Sequence, residues 1–535
     1  MTLKSITDAS MTPGQKTVQY AYDAKGRLQT TTYANSARQD YAYNSDNRLD
    51  RLTIRGAAGY LINDYIYHYT PGGMLDSISA YQNSSSYSYD ALNQIASDVT
   101  TVGAGQSGAI DACRAYAYDA NGNRTSEQRT DVLPNVGATS VSRSYNGATG
   151  ATADDRIISY EENNIVTAFA QDVRGNRLQK NVGGASTPRT FGYDAFSRMT
   201  GATNGSTSVV YTYDALGRKV KRLKRDATIY PDSTYYVYDG LDPVCMVEFN
   251  PAHTECTTVT WLTRGLGVAP GIGNILAQQR YTINFNGTAS PPVTHYYHPN
   301  HRGDTAYLTD ASGVKAASYV YNAFGRMLTD NASTLTIFRF SGKEWDADAQ
   351  LYYFGFRWYD PDTGTWTTKD PLRFNAGDLN VQRFACNAPV LLVDCYGLSF
   401  WGTVGSVAGK IWSAPNTIVG ATLGTVGMAF GGSLPTLENN AIQFTNSRAV
   451  FPGTAITIGN VVIYSPELPP DYVGRLGVAT SDHERQHTCQ AELLGPFYLP
   501  VNLVGGMLGL ALEGDWHGPS NFMESGPQQN PPAPW

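Results

Sequence analysis

A tyrosine-x-tyrosine-aspartate unit, with glycine and arginine three and four residues after the aspartate in its fullest copies, recurs over roughly the first 340 residues. It reads Tyr20-Ala-Tyr22-Asp23-Ala-Lys-Gly26-Arg27-Leu28 first, then Tyr41-Ala-Tyr43-Asn44 with Arg48-Leu49, then Tyr87-Ser-Tyr89-Asp90. Later copies begin at Tyr116, Phe191, Tyr211 and, with Asn322 in the aspartate position, Val320. Residues two apart on a strand share a face, so each aromatic pair lies on one side of the sheet. The Asp or Asn and the Gly that follow are turn residues, so each copy reads as strand, turn and return strand. The commonest spacing is about 20 to 29 residues, a period that signals a repeat architecture. A lone hairpin is marginal in water, whereas stacked hairpins bury each other's aromatic face. Thirty-six tyrosines against eight tryptophans fit such a stack, because a tyrosine packs its ring while its hydroxyl takes a partner. The expected fold class is mainly β, a hairpin shell, followed by a smaller α-rich (α+β) domain.

Composition changes after Leu398, from Tyr, Asp, Asn, Thr and Arg to Gly, Ala, Val, Leu and Pro, which sets a domain boundary there. The net charge of −7, with no basic cluster in the tail, argues against a nucleic-acid partner. Six scattered cysteines without paired spacing read as reduced thiols. The N-terminal residues lack the apolar core of a Sec signal. The apolar, glycine-rich residues 400–434 are broken by Lys410, Pro415 and Asn416, and read as helical hairpin packing, with membrane contact as the alternative. His295, His298 and His301 are close in sequence and could hold a metal ion or serve as shell positions.

Several unusual motifs follow one another between Tyr296 and Leu398. They are Tyr296-Tyr-His298-Pro-Asn-His301-Arg-Gly303-Asp304, Phe340-Ser-Gly342-Lys343-Glu344-Trp345-Asp346 and Leu351-Tyr-Tyr-Phe-Gly-Phe-Arg357-Trp-Tyr359-Asp360-Pro361. Lys369-Asp370-Pro371 and Asn387-Ala-Pro389 come next, and Asp394-Cys395-Tyr-Gly397-Leu398 closes the series. Together with the repeats, they resemble the RHS family of YD-repeat proteins, which includes bacterial polymorphic toxins, C components of insecticidal toxin complexes and teneurins. The resemblance covers about three-quarters of the chain. It implies a shell over residues 1–295, an associated core over 296–398 that plugs one end, and a toxin tail over 399–535. It also implies self-cleavage between Leu398 and Ser399 by the aspartate pair Asp370 and Asp394. Two departures from the family pattern stand at the site: Cys395 replaces the usual proline, and Arg373 occupies a position where glycine is usual. Many RHS arrays are longer, so the resemblance leaves three readings of this shell: incomplete, truncated at its N-terminal end, or completed by a partner chain.

The tail carries His483-Glu484-Arg485-Gln486-His487. Histidines four apart share a helix face and can bind one zinc ion, and the adjacent glutamate can act as general base on metal-bound water. Ser481 as N-cap and Gly495-Pro496 as stop bound the helix, with Ser481 and Glu484 spaced as a capping box. Ala455–Tyr464 reads as a strand or hairpin arm and Leu499–Leu512 as a buried helix. Candidate third ligands are Glu492, Glu513, Asp515, His517 and Glu524. A two-helix plan that resembles gluzincins favours Glu524, with His517 second. The tail is therefore expected to be a zinc peptidase acting on peptide or protein substrates. The alternatives are a membrane-active or binding toxin whose histidine pair is structural, and a non-toxic shell fragment. As an RHS-type toxin, the chain would be exported by a bacterial delivery machine without a Sec signal, act in a target cell, and be matched by a cognate immunity protein.

Overall fold

In the computed structural model the described residues are 3–7, 17–102, 110–131, 139–145, 155–225, 232–250, 255–269, 271–284, 286–330, 335–373, 378, 380–398, 414–429, 431–438, 441–473, 479–494, 498–513, 521 and 523. The chain divides into two compact units, Met1–Phe400 and Trp401–Trp535.

Among the described residues, the first unit is a meander of 27 strands from Ser5–Thr7 to Met327–Asp330. Successive strands pair antiparallel, as Thr17–Tyr22 does with Leu28–Thr32 and Thr207–Tyr213 with Lys219–Arg225. The turn of each repeat is built by its aspartate. Oδ1 of Asp214 accepts the N–H groups of Leu216 and Arg218 at 3.0 and 2.9 Å, while Oδ2 accepts Nε of Arg218 at 2.7 Å. Asp23 and Asp194 do the same in their repeats. Hydrogen bonding from the Arg27 backbone holds the Asp23 carboxyl below the usual range. Gly217 has a φ of 80°, a left-handed conformation that suits glycine.

The second tyrosine of each repeat ties it to the one before. Tyr43 donates its hydroxyl proton to Leu28 O at 2.8 Å, Tyr69 to Leu49 O, Tyr213 to Met199 O and Tyr238 to Lys219 O. The arginine of one repeat lies over the tyrosine ring of the next: Arg27 over Tyr43 at 4.4 Å and Arg218 over Tyr238 at 5.3 Å. Tyr, Asp, Gly and Arg thus each have a separate task, which is why they recur together. The ribbon also meets its own beginning, since Tyr33 donates to Tyr297 O at 2.7 Å and Ala57 N–H to Gly313 O at 3.1 Å.

The motif-rich residues after 335 form a second, four-stranded sheet of Glu344–Asp346, Leu351–Tyr353, Trp358–Asp360 and Thr365–Trp366. Its buried acids meet bases of the hairpin strands, buried at Lys219 and Arg177 and partly exposed at Arg222. Lys219 Nζ lies 2.7 Å from Glu344, Arg222 Nε 2.9 Å from Asp346 and Arg177 Nη1 2.6 Å from Asp360. Asp346 is fully buried, yet Arg222 and Lys219 hold its carboxyl well below the usual range. Burying these charges is tolerable only because each is paired. Phe340, Tyr352, Phe354, Tyr359, Trp366 and Phe384 fill the space between as one aromatic cluster. Of the grouped histidines, His295 and His298 lie on the strand Val293–Pro299; His298 is fully buried, hydrogen-bonds Thr309 Oγ1 at 3.0 Å and lies against the Tyr33 ring, while His301 lies against the Tyr67 ring.

In the second unit, the stretch read as one strand or hairpin arm is two strands, Ala455–Ile458 and Val461–Tyr464, paired across a turn at Gly459-Asn460, and Ala441–Phe444 joins them in parallel. The helix Ala414–Ala429 lays Gly420, Gly424 and Gly427 on this sheet, where an added Cβ would strike Ile458, Phe444 and Ser447. For residues 400–434 this gives one described helix where a helical hairpin was anticipated; residues 399–413 lie outside the described part. No helix among the described residues is long and apolar enough to cross a membrane.

Candidate functional site

Arg357 is the centre of a buried polar site in the first unit. It leaves the turn between Leu351–Tyr353 and Trp358–Asp360, and its guanidinium lies over the Trp366 ring at 4.1 Å. Its Nη2 is 2.6 Å from Asp370 Oδ2 and 3.2 Å from Asp394 Oδ2, so one nitrogen bridges the two carboxylates. Its Nε donates to Gly397 O and its Nη1 to Val381 O. Burial pushes the guanidinium down from its ordinary value, and Asp394 and Asp370 act against that.

Asp394 is held by the strand of chain that follows it. Its Oδ1 accepts the N–H groups of Gly397 and Leu398 at 2.7 and 3.1 Å. Asp370 Oδ1 accepts the N–H of Leu372 at 2.8 Å. Burial pushes the Asp370 carboxyl up to about 6, with Arg357 opposing and the Asp394 charge adding to the rise. An aspartate with a proton to give near neutral pH beside a second aspartate is the arrangement from which acid and base roles separate. Asp370 and Asp394 are thus brought together next to Leu398, while Ser399, beyond the expected cut, lies outside the described residues. The reading of the motifs missed Arg357. It stands in the quoted Leu351–Pro361 motif, but nothing in its spacing shows that it would reach carboxylates on two later segments.

Arg373, in the glycine position, has a φ of 52°, and its N–H donates to Asp370 O at 2.9 Å. The backbone here is left-handed, which accounts for the preference for glycine and sets a strain on the arginine.

In the tail the helix Thr480–Leu494 does bring His483 and His487 onto one face, with ring centroids 5.0 Å apart. Glu484 does not complete a capping box. It is buried and turned to the sheet, where Thr457 Oγ1 donates to its Oε2 at 2.6 Å. His487 Nδ1 shares a 2.8 Å hydrogen bond with Gln490, whose amide donates to Met523 O. Glu524, His517 and Asp515 lie outside the described residues, as does the Glu492 side chain. Among the described residues, no group of three or more His, Cys, Asp or Glu side chains could hold a metal ion.

No family model matches the chain. It is 25% identical over 393 residues to the tRNA3(Ser)-specific nuclease WapA of Bacillus spizizenii, covering 71% of this chain and 15% of that protein. It is 24% identical over 408 residues to the double-stranded DNA deaminase toxin A of Burkholderia cenocepacia, covering 73% of this chain and 25% of that one. The crystal structure of TcdB2-TccC3-TEV shares the fold over 72% of this chain and 19% of its own, with a TM-score of 0.58 and 21% identity. The chain thus spans a quarter or less of the length of these relatives. The comparisons agree with the resemblance to RHS-type toxins read from the motifs. They overturn the zinc peptidase expected for the tail: the relatives named for an activity are nucleases and a deaminase. The physical reason lies in Glu484, whose carboxylate serves as a buried tie between helix and sheet. The peptide substrate falls with the peptidase, and the net-charge argument against nucleic acid finds no support among relatives of this kind.

Proposed function

We propose that the chain is part of an RHS-type bacterial toxin, in which residues 1–398 carry a toxin tail, 399–535, and release it by cutting after Leu398. The observation that supports this reading is the pair Asp370 and Asp394 bridged by Arg357, with Asp394 bound to the backbone of Gly397 and Leu398. In the proposed reaction, Asp394 takes a proton from water as the water oxygen adds to the Leu398 carbonyl carbon. Asp370 gives its proton to the nitrogen of Ser399 as the C–N bond breaks. One water is consumed, Leu398 gains a carboxylate and Ser399 an amine, and the two aspartates regain their starting protonation from solvent. Arg357 keeps the carboxylates close through the change of charge and holds the Gly397 carbonyl in line.

By kinship with the nuclease and deaminase relatives, the tail acts in a target cell after export, with a delivery machine, a cognate immunity protein and a further chain or segment completing the shell as partners. The zinc proposed for His483 and His487, with Glu524 as third ligand, is separate from any peptidase chemistry, and the metal content of the purified chain tests it.

Self-cleavage is tested by expressing the chain beside Asp370→Asn and Asp394→Asn. The wild type should appear as two fragments and each variant as one, since loss of a general acid or base costs about 10²- to 10⁴-fold in rate. Equal cleavage in all three would remove the reading.

A further inference from the structure

Tyr396, two residues after Asp394, lines a cleft together with Asp242, Arg264, Gly271, Lys343 and Phe354. Its backbone is fixed by Phe356, whose N–H donates to Tyr396 O at 3.0 Å. Its ring is fixed from the cleft side. Lys343 Nζ sits 5.0 Å from the ring centroid and donates to Gly271 O at 2.9 Å. Gly271 has a φ of 67°, and a Cβ there would come within 2.9 Å of Tyr396 Cε1. The loop carrying Gly271 therefore closes on the ring at a distance that only glycine allows, and the lysine binds loop and ring together. Lys343 is buried, so its ammonium is a strong partner for a π face with little water to compete. The neighbouring charged and titratable groups are Asp242, Arg264, Asp394 and Cys395.

We propose that Lys343 is a positioning residue for the cleavage: by clamping the Tyr396 ring, it fixes the backbone that offers the Leu398–Ser399 bond to Asp370 and Asp394. The inference rests on the self-cleavage reading above. It assigns a task to the Lys343 of the Phe340–Asp346 motif and to Tyr396, neither of which touches the reacting carboxylates. A clamp two residues from the cut matters because small misplacements of reacting groups cost large factors in rate.

The test is a time course of cleavage in cell-free translation of the full chain, with thermal melting compared in the uncleaved Asp394→Asn background. Lys343→Met and Tyr396→Leu should each slow cleavage by about tenfold or more, while Tyr396→Phe, which keeps the ring, should stay within about twofold of the parent. The double variant Lys343→Met, Tyr396→Leu should be no slower than the slower single, because both remove one clamp. Should Lys343→Met fail to melt like the parent, the contrast between Tyr396→Leu and Tyr396→Phe carries the test. Parent-like rates in Lys343→Met and Tyr396→Leu, with Asp394→Asn inactive, would overturn the clamp and leave self-cleavage standing. Multiplying effects in the double variant would also overturn it. Cleavage of Asp394→Asn at the parent rate would instead remove the reading beneath it.

Discussion

Asp370 carries the pH dependence of the proposed reaction. Its carboxyl is pushed up to about 6 by burial, so it holds a proton below that value and loses it above. A general acid must be protonated to act, so cleavage should slow by about tenfold per pH unit above 6. Rates of fragment appearance between pH 6 and 8 check this; a flat profile would exclude Asp370 as the acid. Arg373 is the second residue with a measurable consequence. Its left-handed backbone should cost about 1 kcal/mol relative to glycine, so Arg373→Gly should stabilise the first unit by about that amount in denaturant unfolding. An unchanged or lower stability would mean that the arginine side chain offsets the strain. The aspartate pair was legible in the motifs by resemblance, whereas Arg357 was not, because it acts across chain segments that no local pattern joins. Glu484 was misread for the opposite reason: its spacing from Ser481 and its place between histidines are local signals, and a tertiary partner, Thr457, decides its role.

Hairpins were the most legible elements, because everything that makes them is local. Asp, Gly and Arg close one turn, and the second Tyr reaches the carbonyl that opens the preceding return strand. The sequence also contains its own control. Asn44 and Asn322 replace the aspartate, and their Oδ1 atoms still accept the backbone N–H groups of Arg48 and Arg326. Asp214→Asn should therefore cost under about 1 kcal/mol, the worth of a partly exposed ion pair, while Asp214→Ala should cost about 1 to 3 kcal/mol for the turn bonds lost with it. Thermal or denaturant unfolding separates the two, and equal effects would show that the turn bonds contribute nothing beyond the ion pair. A β-branched run announced strand structure at Ala455–Tyr464, and end signals and an apolar run announced the helices Thr480–Leu494 and Tyr498–Glu513, but Leu503, Val504, Met507 and Leu510 are exposed where a buried helix was anticipated. The glycine face of Ala414–Ala429 was not, since its meaning depends on the sheet it approaches.

At the scale of the molecule, the first unit joins a wall of local hairpins to a core segment through buried ion pairs. Lys219 with Glu344, Arg222 with Asp346 and Arg177 with Asp360 fix where that segment lies, and with it the irregular stretch that ends at Leu398. Such pairs join residues more than a hundred positions apart, so the motifs announced the acids without naming their partners. The repeats and core motifs resemble those of RHS proteins, the fold is shared with TcdB2-TccC3-TEV over 72% of the chain, and the proposed function turns on one bond. Intact-mass spectrometry of the purified chain reads that bond directly. The prediction is two polypeptides whose masses correspond to residues 1–398 and 399–535 and sum to the parent plus one water, against a single intact mass for Asp394→Asn. A wild-type chain that stays whole, or a cut elsewhere that persists in Asp394→Asn, would contradict it.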